Sequence, residues 1–318
     1  MKVKIDIFSG FLGAGKTMLI KKLVSENLYK EKIVIIENEF GEVGIDGTIL
    51  KKSNIDVKEI NGGCICCTVS SNFSKAIKEV IEKFNPQRII IEPSGVGKLS
   101  DVLKVCKDEE IKKIAQLNMV ITVIDGMKFD IYVKNFAEFY RNQIQNAKVL
   151  VISRTQKLSV EKVITICEAL RKLNPSTSII TTPWDEIKSE KIIEIGESSK
   201  IDSSLMKINL LKRPFKIGAI KEGINTTAND VFQTVGFETP KQFSISSIEK
   251  ILNSLEQNKN CGVILRAKGI VQTNDKKWMQ FDYVPEEFQV RETTADYTGR
   301  VCVIGSNIDK ERIKTLFS

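Results

Sequence analysis

Runs rich in isoleucine and valine recur through the first half of the chain, and segments with helical spacing of apolar residues separate them. Residues 2–8 (KVKIDIF), 32–38 (KIVIIEN), 88–92 (RIIIE), 119–125 (MVITVID) and 148–153 (KVLVIS) are nearly continuous apolar runs. Such runs read as strands covered on both faces, the condition of a parallel sheet. Shorter strands are expected at 56–60 and 177–182. Residues 16–28 read as a helix, and so do residues 72–84. In the second, Phe73, Ile77, Val80, Ile81 and Phe84 share one helical face. Strand and helix in alternation predict an α/β domain, a mainly parallel sheet wrapped by helices.

The pattern changes after Pro183. Residues 184–212 are charged and weakly periodic, and read as a linker with a short helix. A strand at 231–238, a helix at 246–257 and long strands at 262–273 and 277–284 follow, the last two joined by the turn signal TNDKK. A strand at 300–306 and a helix at 309–317 end the series. The expectation is a smaller C-terminal α+β domain with an antiparallel sheet, and a division into 1–183, 184–212 and 213–318. Its Arg266, Lys268 and Trp278 read as fold and surface residues, or as a docking face for a client protein.

At 318 residues the chain has room for two domains and a sizeable core. No apolar run approaches the roughly 18 residues of a membrane span, and residues 1–10 have no apolar signal region. A cytoplasmic protein with no membrane partner is expected. The net charge is +8, yet basic and acidic residues are interleaved with no basic arm, which argues against nucleic acid as the partner. There is no histidine. Of seven cysteines, Cys106, Cys167, Cys261 and Cys302 stand singly, while Cys64, Cys66 and Cys67 crowd into NGGCICCTVSSN, residues 61–72. That distribution is no disulfide framework and fits a reducing compartment.

Two motifs carry chemistry. GFLGAGKT, residues 10–17, fits G-x-x-x-x-G-K-[ST] between a strand and a helix. Its backbone N–H groups cradle phosphates, so Gly10, Gly13, Ala14, Gly15, Lys16, Thr17 and Met18 are candidate nucleotide-binding residues. Lys16 reaches the β- and γ-phosphates and Thr17 ligates Mg²⁺. EPSG, after the strand at 88–92, places Glu92 for the Mg²⁺ shell and Gly95 for the γ-phosphate.

With SGFLGAGKT, ENEFGEVGID (residues 37–46), GGCICC and EPSG, the chain resembles the CobW-like family of P-loop GTPases, related to the nickel-enzyme and urease metallochaperone GTPases. LRAKGIV (265–271) and TGRVCVIG (298–305) carry the resemblance through the smaller domain. It implies slow Mg²⁺-dependent GTP hydrolysis coupled to binding of a transition metal, Zn²⁺ or Co²⁺, and to its delivery to a client metalloprotein. Family links to cobalamin belong with this. Homodimer assembly is compatible with the reading.

The guanine-reading N-K-x-D is replaced by SRTQ, residues 153–156. Gln156 offers guanine one acceptor and one donor where a carboxylate offers two acceptors. Ser153, Arg154 and Gln156 remain the candidate base contacts, Arg154 by stacking its flat guanidinium. GTP is the first expectation, with ATP or weak discrimination as alternatives.

Cys64, Cys66 and Cys67 offer three soft donors, which suit Zn²⁺ and other thiophilic ions. Three ligands and an open position suit an exchangeable metal. Glu37, Glu39 and Glu42 are candidate fourth ligands, and Asp46 or Glu42 could position water or the Mg²⁺ shell. Competing readings are a packing role for one cysteine and a redox pair at Cys64 and Cys67. For the whole chain they are a kinase or synthetase on a small metabolite, and a metal buffer or regulator without hydrolysis.

Overall fold

A computed structural model describes residues 2–26, 31–37, 56–59, 70–198, 231–257, 259–296 and 298–317. Seven strands, β1 (Val3–Gly10), β2 (Ile33–Glu37), β3 (Asp56–Glu59), β4 (Arg88–Glu92), β5 (Ala115–Asp125), β6 (Val149–Ser153) and β7 (Ser178–Ile180), form one sheet. The spatial order is β3-β2-β4-β1-β5-β6-β7 and every pairing is parallel. The continuous apolar runs have the expected cause. In β4, Ile89 and Ile91 enter the core on one face while Ile90 enters the core on the other. The first face packs Phe73, Ile77 and Val80 of helix Ser70–Phe84; the second packs Leu19, Ile20 and Leu23 of helix Lys16–Ser25.

β5 starts four positions before the expected 119. Gln116 and Asn118 interrupt the apolar run, but Ala115 already pairs with Val3 of β1, and a register shift follows at Ile5 and Asp6. Asn118 explains its own place: its Nδ2 donates to the buried Asp6 carboxylate at 2.7 Å. Arg88 lies within 2.5 Å of Asp6 and also pairs with Glu31 and Glu197. Breaking such a buried pair by removing one partner costs about 3–5 kcal/mol, because the other charge stays behind. Burial pushes the Asp6 carboxyl above its ordinary value, against the pull of Arg88.

Residues 184–198 lie in the span read as a linker. They carry helix Ser189–Glu197, whose Ile192 is fully buried against the second sheet face, and Trp184 and Ile187 pack beside it. Gly196 lies so close to Met119 that a Cβ would fall 2.6 Å from the sulfur.

The second sheet contains β8 (Gln233–Thr239), β10 (Val263–Thr273), β11 (Trp278–Val284), β12 (Glu287–Thr293) and β13 (Gly299–Ser306), in the order β12-β11-β10-β13-β8 with antiparallel neighbours. The short β9 (Gln242–Phe243) pairs with β10 in parallel. Helices Ile245–Gln257 and Lys310–Leu316 cover this sheet. β9 and β12 were not expected. β12 is charged and half-exposed, as an edge strand can be, so it lacks an apolar run.

The two sheets share a core. Phe11, the second residue of the phosphate loop, is fully buried, with its ring centroid 4.6 Å from Tyr132, 5.3 Å from Phe136 and 6.1 Å from Phe232. Leu265, Cys302 and Ile304 of the second sheet join the same cluster. Among the described residues no helix is long and apolar enough to cross a membrane.

Candidate nucleotide and metal site

The phosphate loop leaves β1 with Gly10 at φ 144°, Gly13 at φ 70° and Gly15 at φ 102°, all in the half of conformational space that glycine enters freely. Space is equally restrictive: a Cβ on Gly10 would lie 2.4 Å from the Val123 carbonyl oxygen. Helix Lys16–Ser25 begins without a side-chain cap on its first N–H groups. Those donors and the helix dipole face the loop, the arrangement that receives phosphate.

Lys16 is buried, and its ammonium donates to the Phe11 carbonyl at 3.3 Å. The Thr17 hydroxyl lies 2.9 and 3.0 Å from the two oxygens of Glu92 and donates between them. A hydroxyl against a carboxylate at the mouth of a phosphate loop is a pair of hard oxygen ligands, the donor set Mg²⁺ takes beside phosphates. The residues therefore fit the ion. Gly95 backs onto the loop, where a Cβ would meet the Leu12 nitrogen at 2.8 Å. Met18 is exposed and lines the cleft over the loop.

The segment after β4 is pinned from behind. Gln143, fully buried on helix Ala137–Gln145, donates through Nε2 to the carbonyls of Gly95 at 3.1 Å and Gly97 at 2.9 Å. Its neighbour Asn142 accepts from the Ser100 amide at 3.1 Å. Nothing in the sequence marked Gln143, because one glutamine on an amphipathic helix has no signature.

At the expected base-reading turn, Ser153 is buried and its hydroxyl donates to the Ile124 carbonyl at 3.3 Å. Arg154 takes φ 61° and pairs with Asp125 at 2.7 Å and Glu287 at 3.0 Å. Stacking on a base would require Arg154 to give up at least one of these partners. Gln156 is exposed. Burial pushes the Asp125 carboxyl up despite the adjacent guanidinium.

A cleft of about 310 Å³ opens over the loop, and its far wall belongs to the second sheet. Arg266, Asp282, Tyr283 and Arg291 face Gly13, Lys16, Thr17 and Glu92 across it. Arg266, expected to be a fold or surface residue, thus lines the phosphate cleft. Lys268 is buried instead, and Trp278 is half-buried. Trp184 was also missed: its ring lies 2.8 Å from where a Gly15 Cβ would be.

Glu37 ends β2, is buried, and stands in register with Glu92 of β4 and Glu59 of β3. Glu39, Glu42, Asp46, Cys64, Cys66 and Cys67 lie outside the described residues. Among the described residues, no group of three or more metal-ligating side chains occurs. Among the described residues the four single cysteines form no disulfide; Cys106, Cys261 and Cys302 are buried, and burial pushes the Cys106 thiol up to about 12.

Comparison with known proteins matches residues 4–181 to the family described as CobW/HypB/UreG, nucleotide-binding domain, and residues 232–318 to the cobalamin synthesis protein cobW C-terminal domain. Among curated relatives, "Zinc chaperone YeiR" of Escherichia coli is 27% identical over 66% of this chain and 61% of its own length. The chain thus spans less than two thirds of that relative. "Zinc-regulated GTPase metalloprotein activator 1" of Schizosaccharomyces pombe is 24% identical over 91% of this chain and 76% of its own. A solved structure, "Zn(II)-bound YjiA GTPase from E. coli", is 19% identical and covers all of this chain and 98% of its own at a TM-score of 0.47.

Proposed function

Since the chain belongs to the CobW/HypB/UreG nucleotide-binding family, we propose that it is a slow Mg²⁺-dependent GTPase that couples its nucleotide state to a transition metal and delivers that metal to a client metalloprotein. Zn²⁺ is the first cargo on this reading and Co²⁺ the second. The relatives named zinc chaperones support it, and so do the thiols at Cys64, Cys66 and Cys67.

The register of β3, β2 and β4 is the observation that carries the reading. Glu59, Glu37 and Glu92 stand abreast at the same end of three parallel strands. Glu92 meets Thr17 of the phosphate loop. Cys64 follows Glu59 by five positions in the sequence, and the segment with Glu39, Glu42 and Asp46 follows Glu37 directly. A γ-phosphate that shifts Glu92 is therefore one strand away from Glu37 and two from the strand that leads to the thiols.

In hydrolysis, Lys16 would leave the Phe11 carbonyl for the β- and γ-phosphates, and the loop N–H groups would hold the triphosphate against the helix N-terminus. Thr17 and Glu92 would hold Mg²⁺, which neutralises charge on the phosphate oxygens. Base selection rests on Ser153, Arg154 and Gln156, and is weaker than a carboxylate would give.

Calorimetric titration of Zn²⁺ with and without a non-hydrolysable GTP analogue tests the coupling, because metal and nucleotide must change each other's affinity by one common factor. Cys66→Ser and Cys67→Ser are expected to weaken metal binding, while Cys261→Ser leaves it unchanged. Lys16→Ala is expected to abolish hydrolysis. Unaltered metal binding by both loop variants overturns the metal reading, and normal turnover by Lys16→Ala overturns the GTPase reading.

A further inference from the structure

The cleft over the phosphate loop has two walls from different sheets, and the second wall brings two arginines to it. Arg266 projects from β10 and Arg291 from β12, and both end on one carboxylate, Asp282 of β11, at 3.4 and 3.6 Å. Contacts of that length between partly exposed groups are weak. Around the whole cleft stand five cationic side chains (Lys16, Lys21, Arg154, Arg266 and Arg291) against three carboxylates (Glu92, Asp282 and Glu287), with the Asp125 carboxylate behind Arg154 as a fourth. That surplus suits an anion with several charges.

The second wall is also held in place. Val284, at the end of β11, lies 2.5 Å from where a Cβ on Gly13 would be. Glu286, in the turn after β11, and Glu287, the first residue of β12, are ion-paired to Lys128 and Arg154 of the first domain. Phe11 of the loop lies in the aromatic core with Phe232 and Leu265, the residue before Arg266. Arg266 is close enough to act electrostatically on the Tyr132 hydroxyl, which donates to the loop carbonyl of Leu12 at 3.3 Å. A guanidinium fixed to the rigid partner of a phosphate loop needs little reorganisation to meet phosphate oxygens.

We propose that the C-terminal domain completes the nucleotide site, with Arg266 contacting the terminal phosphates of the bound triphosphate and Arg291 supporting it from the rim. This rests on the nucleotide-binding reading above. Asp282 holds both arginines in the structure, and the triphosphate takes Arg266 from it. The two ligand states then differ: a triphosphate engages both walls and a diphosphate mainly the loop. The second domain would thereby sense hydrolysis directly, through its own side chain.

The test compares affinities of the full chain for a non-hydrolysable GTP analogue and for GDP, with Mg²⁺ present, by displacement of a fluorescent nucleotide. Arg266→Ala is expected to weaken the triphosphate by about tenfold or more and the diphosphate by less than about threefold, as loss of a bidentate charged contact to the last phosphate predicts. Arg266→Lys is expected to recover part of the charge contribution and little of the fork geometry. Arg291→Ala, at a more exposed position, is expected to give a smaller loss with the same preference. Equal losses for both nucleotides, or none, in an Arg266→Ala protein with unchanged thermal unfolding overturn the proposal. If Arg266→Ala does not fold, Arg266→Lys and Arg291→Ala carry the test, and absence of any triphosphate-selective loss in both overturns it. Lys16→Ala separates the two levels. Strong binding lost in Lys16→Ala but kept in the arginine variants leaves the nucleotide reading standing without this inference. No binding by the unmutated chain overturns both.

Discussion

Gln143→Leu removes a side chain of similar size that never touches nucleotide, yet holds the loop that would. The Gln143 amide donates to two carbonyls, Gly95 at 3.1 Å and Gly97 at 2.9 Å, inside a fully buried site. Leucine leaves both carbonyls without these donors. A buried group stripped of its partner costs about 1–3 kcal/mol, so two carry a penalty of about 2–6 kcal/mol. One relief opposes it. Gln143 Oε1 is itself buried with no hydrogen-bond partner among the described residues, and removing it returns the cost of one such group, about 1–3 kcal/mol on the same scale. The net expectation is the cost of one stripped group, about 1–3 kcal/mol of destabilisation, read as a lower urea midpoint with an unchanged slope. Function changes in a particular way. The released segment contains Gly95 and follows Glu92, so turnover is expected to fall more than GDP affinity, which depends on the loop at 10–17. Gln143→Glu sharpens the test, since a carboxylate facing two carbonyls is repelled when ionised and must bury a proton or move. A loss below about 1 kcal/mol in Gln143→Leu, with normal turnover, would refute the view that this amide sets the loop.

Two further outcomes are expected. Gln156 is exposed at the base-reading turn, and Gln156→Asp is expected to raise the preference for GTP over ATP in competition for a fluorescent nucleotide; a strong guanine preference in the unmutated chain would show that other contacts read the base. Glu26 holds the N-terminus of helix Ser189–Glu197 through the Ser189 amide at 2.9 Å, and the Lys22 ammonium, then Ser189, hold its carboxyl at about 2. A depressed carboxyl contributes stability above its unfolded value near 4.5 and loses it as pH falls toward 2, so the Tm gap between the unmutated chain and Glu26→Gln is expected to close across that window. With Glu26 36% exposed, solvent screening keeps the neutral-pH gap below about 1 kcal/mol; a gap that persists at pH 2 would contradict the assignment.

The first domain was legible because its signals are local. A continuous Ile run such as residues 88–92 can be buried on both faces only in a covered parallel sheet, and GFLGAGKT needs its glycines at positive φ whatever surrounds it. The place of Glu92 beside the loop was legible too, since it closes a buried strand that borders the loop's own strand. What escaped depends on distant contacts. Arg266 follows Leu265 in a strand whose burial does not alternate cleanly; its pairing with β13 shifts register between Ile264 and Arg266, where Leu265 joins the Phe11 core and Arg266 lines the loop's cleft. β12 was hidden because an edge strand keeps its charged residues exposed, and Arg291 and Glu287 were hidden with it. Arg154 shows the same limit from the other side. Its place after β6 suggested a stacking surface for a base, but Asp125 and Glu287 approach it from two domains and hold its guanidinium. A ligand that draws Arg154 toward a base must therefore loosen either the Asp125 pair within the first domain or the Glu287 pair that joins the two, whereas one that draws Arg266 toward a phosphate adds a contact from the second sheet to the loop.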